Sequence, residues 1–202
     1  MEHLAHLNKD KKLKSIIALQ EPYILTPKKD VYLRLCASIL SQQLNTKVAA
    51  VIFERFLNLY KNKKPTPQQI LDTPFETLRG IGLSNAKTTY VQNVCQFFID
   101  EKITDSKLQK MSNEEIITYL SSIKGVGQWT VEMILMFTLG REDVFALDDL
   151  GIQQSFAKLY DIDTADKKNL RKKMMEVSAK WSPYRTYACK YLWGWKDNTP
   201  KV

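Results

Sequence analysis

The sequence predicts an all-α fold, and three observations carry that prediction. Apolar residues recur at i, i+3 and i+4 along most of the 202 residues, the spacing of one helix face. Alternating apolar and polar runs, the mark of half-buried strands, are brief everywhere. Helix-start signals also repeat: Thr66-Pro67-Gln-Gln69, Thr73-Pro74-Phe-Glu76 and Ser112 with Glu115 each set a hydroxyl three residues before a Glu or Gln. The length suits one large domain or two small lobes around a real hydrophobic core.

Taken in order, residues 1–20 read as a basic amphipathic helix with Leu4, Leu7, Leu13, Ile16 and Ile17 inward. His3 and His6 are too few for a metal site and are expected at the surface. Pro22 and Pro27 bracket a loop, after which Thr26 or Asp30 offers a cap. Residues 31–59 form the longest helical stretch, apolar at Leu33, Ala37, Leu40, Val48, Ile52 and Phe56. It breaks at Ser41-Gln-Gln-Leu-Asn45, where Asn45 or Thr46 caps its second half. Short helices follow Thr66 and Thr73. Arg79-Gly-Ile-Gly-Leu-Ser84 reads as a structural turn opening a helix over 85–100, with Ala86, Tyr90, Val94 and Phe97 on its core stripe. A helix from about Glu114 ends at Gly125-Val-Gly127, and the next runs to about Leu139. A turn over 161–165 leads to a lysine-rich helix over 167–181. Ser182-Pro183-Tyr-Arg185 then caps a last helix ending at Trp193-Gly-Trp195, and the tail over 196–202 is expected to fray.

A net charge of +8 and a pI near 9.3 favour a polyanionic partner, nucleic acid or anionic membrane surface alike. No apolar run reaches membrane-spanning length and the start lacks a signal-peptide pattern, so a cytoplasmic location is expected. Cys36, Cys95 and Cys189 are odd in number and far apart, which suits reduced, buried thiols.

Chemistry concentrates in two stretches. The glycines of Gly125-Val126-Gly127 let the backbone turn sharply and approach a ligand closely, and the helix-start amides after them form a ready anion site. Downstream, in Asp148-Asp149-Leu-Gly-Ile-Gln, either aspartate suits the cap of a helix starting near Leu150. On the helix after the glycines, Trp129, Met133 and Met136 share a face, with Val131, Ile134, Leu135 and Thr138 roughly opposite. A helix apolar all round belongs at the centre of a fold, which favours core places over a substrate role for Met133 and Met136.

Ile123-Lys-Gly-Val-Gly-x-x-Thr before an apolar helix, with Asp149 twenty-two residues past Gly127, resembles the helix-hairpin-helix superfamily of DNA repair glycosylases. The pattern is most similar to its alkyladenine branch, the 3-methyladenine DNA glycosylase II type, and runs from about Val31 to Trp195. The resemblance implies a two-lobed helical fold with a DNA-binding cleft between lobes of about 31–110 and 111–195, the N-terminal helix packing on either. It implies a monomer that flips N-alkylated purines (3-methyladenine, 7-methylguanine) out of damaged double-stranded DNA and hydrolyses their N-glycosidic bond.

By the same resemblance, Asp149 rather than Asp148 is the carboxylate that stabilises an oxocarbenium-like transition state. Trp129, Met133 and Trp193 hold the base; Gln43 or Leu44 is the wedge that fills the vacated stack; Lys124, Gly125, Val126 and Gly127 grip the backbone. Carbonyls of Ser121, Ile123 and Val126 are expected to hold a monovalent cation (Na⁺ or K⁺), with no other cofactor required. Three cysteines do not suffice for the four-cysteine iron–sulfur cluster of the endonuclease III relatives. Trp129 stands where bifunctional relatives carry a nucleophilic lysine, which implies a monofunctional enzyme. Two alternatives stand beside this reading: a non-catalytic DNA-binding module, and a glycosylase for oxidised or deaminated bases.

Overall fold

The computed structural model describes residues 1–198, and among them every regular element is a helix. The helices gather into two compact units, Met1–Pro27 with the chain from Leu135 onward, and Lys28–Ile134. This departs from the expected lobes of 31–110 and 111–195. The hairpin falls in the same unit as the break over 41–45, and the N-terminal segment joins the C-terminal helices.

The discontinuous unit starts with α1 (Glu2–Leu7) and α2 (Lys11–Ile17). These replace the single helix expected over 1–20, because the Asp10 carboxylate accepts from the amides of Lys12 and Leu13 and starts a new helix. Leu7, Leu13, Ile16 and Ile17 are buried as expected, whereas Leu4 is half-buried. Asp10 also accepts from Tyr160 Oη and from Trp181 Nε1 (3.1 Å), which ties the segment to the C-terminal helices. His3 is buried at 7% exposure instead of lying at the surface, stacked on Tyr187 at 3.9 Å.

The continuous unit holds α3 (Val31–Ser41), α4 (Thr46–Asn58), α5 (Pro67–Leu71), α6 (Phe75–Gly80), α7 (Asn85–Asp100), α8 (Asp105–Gln109) and α9 (Asn113–Ser121). It also holds α10 (Gln128–Phe137) as far as Ile134. Asn45 caps α4, Ser84 caps α7, and the capping boxes Thr66/Gln69 and Ser112/Glu115 both form. Other expected caps differ. Asp30 sits at the start of α3 in a left-handed conformation without a side-chain bond, and the Asp105 carboxylate accepts from the amides of Asp30 and Val31 instead. Pro74, not Thr73, occupies the cap position of α6. Val48 and Ala86 are exposed, contrary to their expected core places.

The discontinuous unit resumes with α11 (Leu150–Tyr160), α12 (Lys167–Ser178), a 3-10 turn (Ala179–Trp181) and α13 (Arg185–Asn198). The last helix thus runs past Trp195, and the expectation of a frayed tail over 199–202 lies outside the described residues. All three cysteines are buried, and none forms a disulfide. No helix among the described residues is long and apolar enough to cross a membrane.

Candidate active site

Asp149 occupies the cap position of α11, and its Oδ1 accepts from the Ile152 amide at 2.8 Å and from the Trp193 indole N–H at 2.9 Å. The cap and the indole therefore converge on one carboxylate oxygen. Gly151 keeps this arrangement compact, since a Cβ there would lie 3.1 Å from Asp149 Oδ1 and 3.2 Å from Trp193 Cδ1. Asp148 is placed differently. Its carboxylate pairs with Arg171 in an exposed ion pair, beside a cavity of about 540 Å³ lined also by Leu150, Thr164 and Lys167. The structure thus separates two adjacent aspartates that spacing alone left open.

The loop carrying Asp149 is pinned to the start of α13. Arg185 grips Asp143 with two parallel bonds, Nε to Oδ1 at 2.6 Å and Nη2 to Oδ2 at 2.9 Å, and Ser182 Oγ donates to Oδ2 at 2.8 Å. Burial pushes the Asp143 carboxyl up, but these donors outweigh it and hold it below its ordinary range. Thr186 Oγ1 donates to Arg141 O at 2.6 Å and accepts from the Val144 amide at 3.1 Å. Ser182 therefore serves Asp143 through its side chain, a role that the expected cap did not anticipate.

Trp193, expected as a pocket wall, is half-buried and hydrogen-bonded to Asp149 while its ring lies 5.7 Å from that of Phe137. Along α10, Trp129 (44% exposed), half-buried Met133 and Phe137 (38%) follow an i, i+4, i+8 row. Met136 is 1% exposed and belongs to the core, together with Val131, Ile134, Leu135 and Thr138. The expected Trp129–Met133–Met136 face therefore ends in Phe137 in place of Met136. A methionine is flexible enough to fill the interior at the end of the helix.

The hairpin links α9 to α10, with Ile123 and Val126 buried and Lys124, Gly127 and Gln128 exposed. Its tight turn is closed by the Val126 amide on Ile123 O at 2.9 Å. The two glycines differ in purpose. Gly125 has φ +102°, and a Cβ there would overlap the Tyr90 ring. Gly127 would carry a Cβ with nothing within 4 Å, so its lack of a side chain leaves open space beside the first turn of α10. Those first-turn amides lack helical partners by construction, which suits an anion. Ser121 Oγ is buried with no hydrogen-bond partner among the described residues.

Gln43 is exposed at φ +59°, and Leu44 is 38% exposed, so both wedge candidates lie at the surface. Sequence reasoning missed what holds them. Gln42 Nε2 donates to Gly125 O at 3.4 Å, and Lys87 and Asn93 of α7 reach the same region. Only the recurrence of polar residues on successive turns of α7 hinted at this.

Known proteins are similar to this chain in sequence and fold. The model of the HhH-GPD superfamily base excision DNA repair protein matches residues 36–180. DNA-3-methyladenine glycosylase 1 of Schizosaccharomyces pombe is 37% identical over 194 residues, covering 95% of this chain and 84% of that one. The solved structure of the Schizosaccharomyces pombe 3-methyladenine DNA glycosylase in complex with abasic DNA superposes with a TM-score of 0.81 at 34% identity, covering 96% of this chain and 95% of that chain. DNA-3-methyladenine glycosidase of Bacillus halodurans superposes with a TM-score of 0.85 at 30% identity, covering 98% and 90%. With its hairpin, its capped aspartate and these matches over most of its length, the chain belongs to the HhH-GPD superfamily of base excision DNA repair proteins.

Proposed function

We propose that the protein is a monofunctional DNA glycosylase that releases N-alkylated purines, such as 3-methyladenine and 7-methylguanine, from duplex DNA by hydrolysis. The observation that carries this reading is Asp149, oriented by the Ile152 amide and the Trp193 indole in a chain whose relatives bear the name DNA-3-methyladenine glycosylase. As the glycosidic bond lengthens, positive charge develops at C1′ of the sugar. The fixed Asp149 carboxylate stabilises that charge and orients the attacking water. An alkylated purine that already carries a positive charge leaves as a neutral base, so no strong general acid is needed.

Trp129 offers an exposed ring to the extruded base. Stacking contributes on the order of 1–3 kcal/mol, and a cationic ring gains a cation–π term besides. Met133 and Phe137 extend that surface. Gln43 or Leu44 fills the vacated stack, and the hairpin from Lys124 to Gly127 binds phosphate through its amides and charge. The carbonyls of Ser121, Ile123 and Val126 would hold a monovalent cation, and Ser121 Oγ, buried with no hydrogen-bond partner among the described residues, suits a further oxygen donor. Such a cation would add positive charge where the DNA backbone binds. The test is a panel of lesion-bearing duplexes assayed for released base, with borohydride and with or without alkali. Methylpurine release from strands that break only after alkali is expected; a trapped covalent adduct or a preference for 8-oxoguanine overturns the reading.

A further inference from the structure

The wedge loop and the hairpin are both anchored to α7. On successive turns of that helix, Lys87 Nζ donates to Leu40 O at 2.9 Å and Gln42 O at 2.7 Å, Tyr90 lies over Gly125, and Asn93 Nδ2 donates to Lys124 O at 3.2 Å. Leu40 O and Gln42 O belong to the C-terminal end of α3, where carbonyls have no helical donor and the helix dipole favours a cation. Lys87 thus caps α3 from a neighbouring helix. Immediately afterwards Gln43 turns left-handed and the chain leaves for α4. The Gln42 side chain then spans to Gly125 O at 3.4 Å, so the loop is referenced to the hairpin directly as well as through α7. A lysine usually keeps its ammonium in water; here it is half-buried, and burial pushes its pKa down. That placement is unneeded for solubility and specific to two carbonyls.

We propose that Lys87 is a positioning residue for base extrusion, fixing Gln43 and Leu44 at a set spacing from the phosphate-binding hairpin. The inference rests on the glycosylase reading and on the wedge role of Gln43 and Leu44. It makes Lys87 matter when a paired base must be forced out, and not when the lesion is already unpaired.

Single-turnover release of 7-methylguanine is measured from a duplex with the lesion opposite cytosine, and from one with the lesion opposite an abasic site. Lys87→Met keeps the stem and removes the donors. It should slow release from the paired lesion roughly tenfold to a hundredfold, the range of a lost charge-assisted bond, and the unpaired lesion by less than about threefold. Lys87→Arg should restore the paired rate, and the Gln43→Ala/Leu44→Ala double variant should reproduce the selective loss. Affinity for undamaged duplex should be unchanged in Lys87→Met, because the phosphate-binding amides remain. Should Lys87→Met fail to fold, Lys87→Gln is read in the same way. Equal slowing of both substrates, or none of the paired one, overturns the proposal. Failure of the parent protein to release 7-methylguanine from either duplex refutes the glycosylase reading itself, an outcome distinct from a parent that is active and a Lys87→Met that is unimpaired.

Discussion

Replacing Trp193 with phenylalanine isolates the orientation of Asp149 from the aromatic surface. Phenylalanine keeps a ring near Phe137 and removes the indole N–H that reaches Asp149 Oδ1 at 2.9 Å. A hydrogen bond to a charged group is worth about 1.5–3 kcal/mol when buried, and each 1.4 kcal/mol is a factor of ten in rate. Trp193 is half-buried, so water replaces part of the lost bond, and the Ile152 amide still holds the same oxygen. The expected loss is therefore near the lower end, roughly tenfold in the single-turnover release of 7-methylguanine. Asp149→Asn provides the reference. Asparagine caps a helix about as well as aspartate, so that variant should keep its thermal midpoint while release nearly stops. In the Asp149→Asn background, Trp193→Phe should cost less than about threefold more, because the two residues act as one unit. A Trp193→Phe protein as fast as the parent, or costs that simply multiply, would refute the orientation argument and leave Trp193 as a stacking surface.

Three further outcomes follow from the geometry. Gly125→Ala should lower the melting midpoint sharply through its positive φ and the Tyr90 ring, whereas Gly127→Ala should melt like the parent but bind every duplex more weakly in fluorescence anisotropy. Lys124→Ala should reduce the slope of log affinity against log salt by about one, with little effect on lesion preference; an unchanged slope would remove Lys124 from the phosphate contacts. Asp143 has a folded pKa below its ordinary 3.8, so its stabilising contribution is present at neutral pH and is lost as pH falls through that lowered value. The midpoint gap between the parent and Asp143→Asn should accordingly be constant from pH 7 to 5 and close below about pH 4.

The features legible in the sequence were those that local chemistry dictates. Helix class, the Ser112/Glu115 and Thr66/Gln69 boxes, and the caps at Asn45 and Asp149 all depend on residues a few positions apart, and the structure contains them. The choice of Asp149 over Asp148 came from resemblance; the indole that sets Asp149 apart in the structure, that of Trp193, lies 44 residues away. Long-range partners were the part hidden from view. Nothing near Asp30 announces that Asp105 caps its helix, and nothing near His3 announces a stack on Tyr187. The same holds for Lys87, whose two acceptors are backbone carbonyls and so leave no mark in residue identity. Met136 is buried, the core place that a helix apolar all round favours for it.

The pairing of the first 27 residues with the chain beyond Leu135 has a consequence for biogenesis. Leu7, Leu13, Ile16 and Ile17 are synthesised more than a hundred residues before Tyr160, Trp181 and Tyr191, to which their segment is tied by Asp10 and Gln20. The unit over 28–134 is contiguous and is completed during synthesis, while the N-terminal segment waits with its apolar side uncovered. Refolding from denaturant escapes that order, since all partners are present at once.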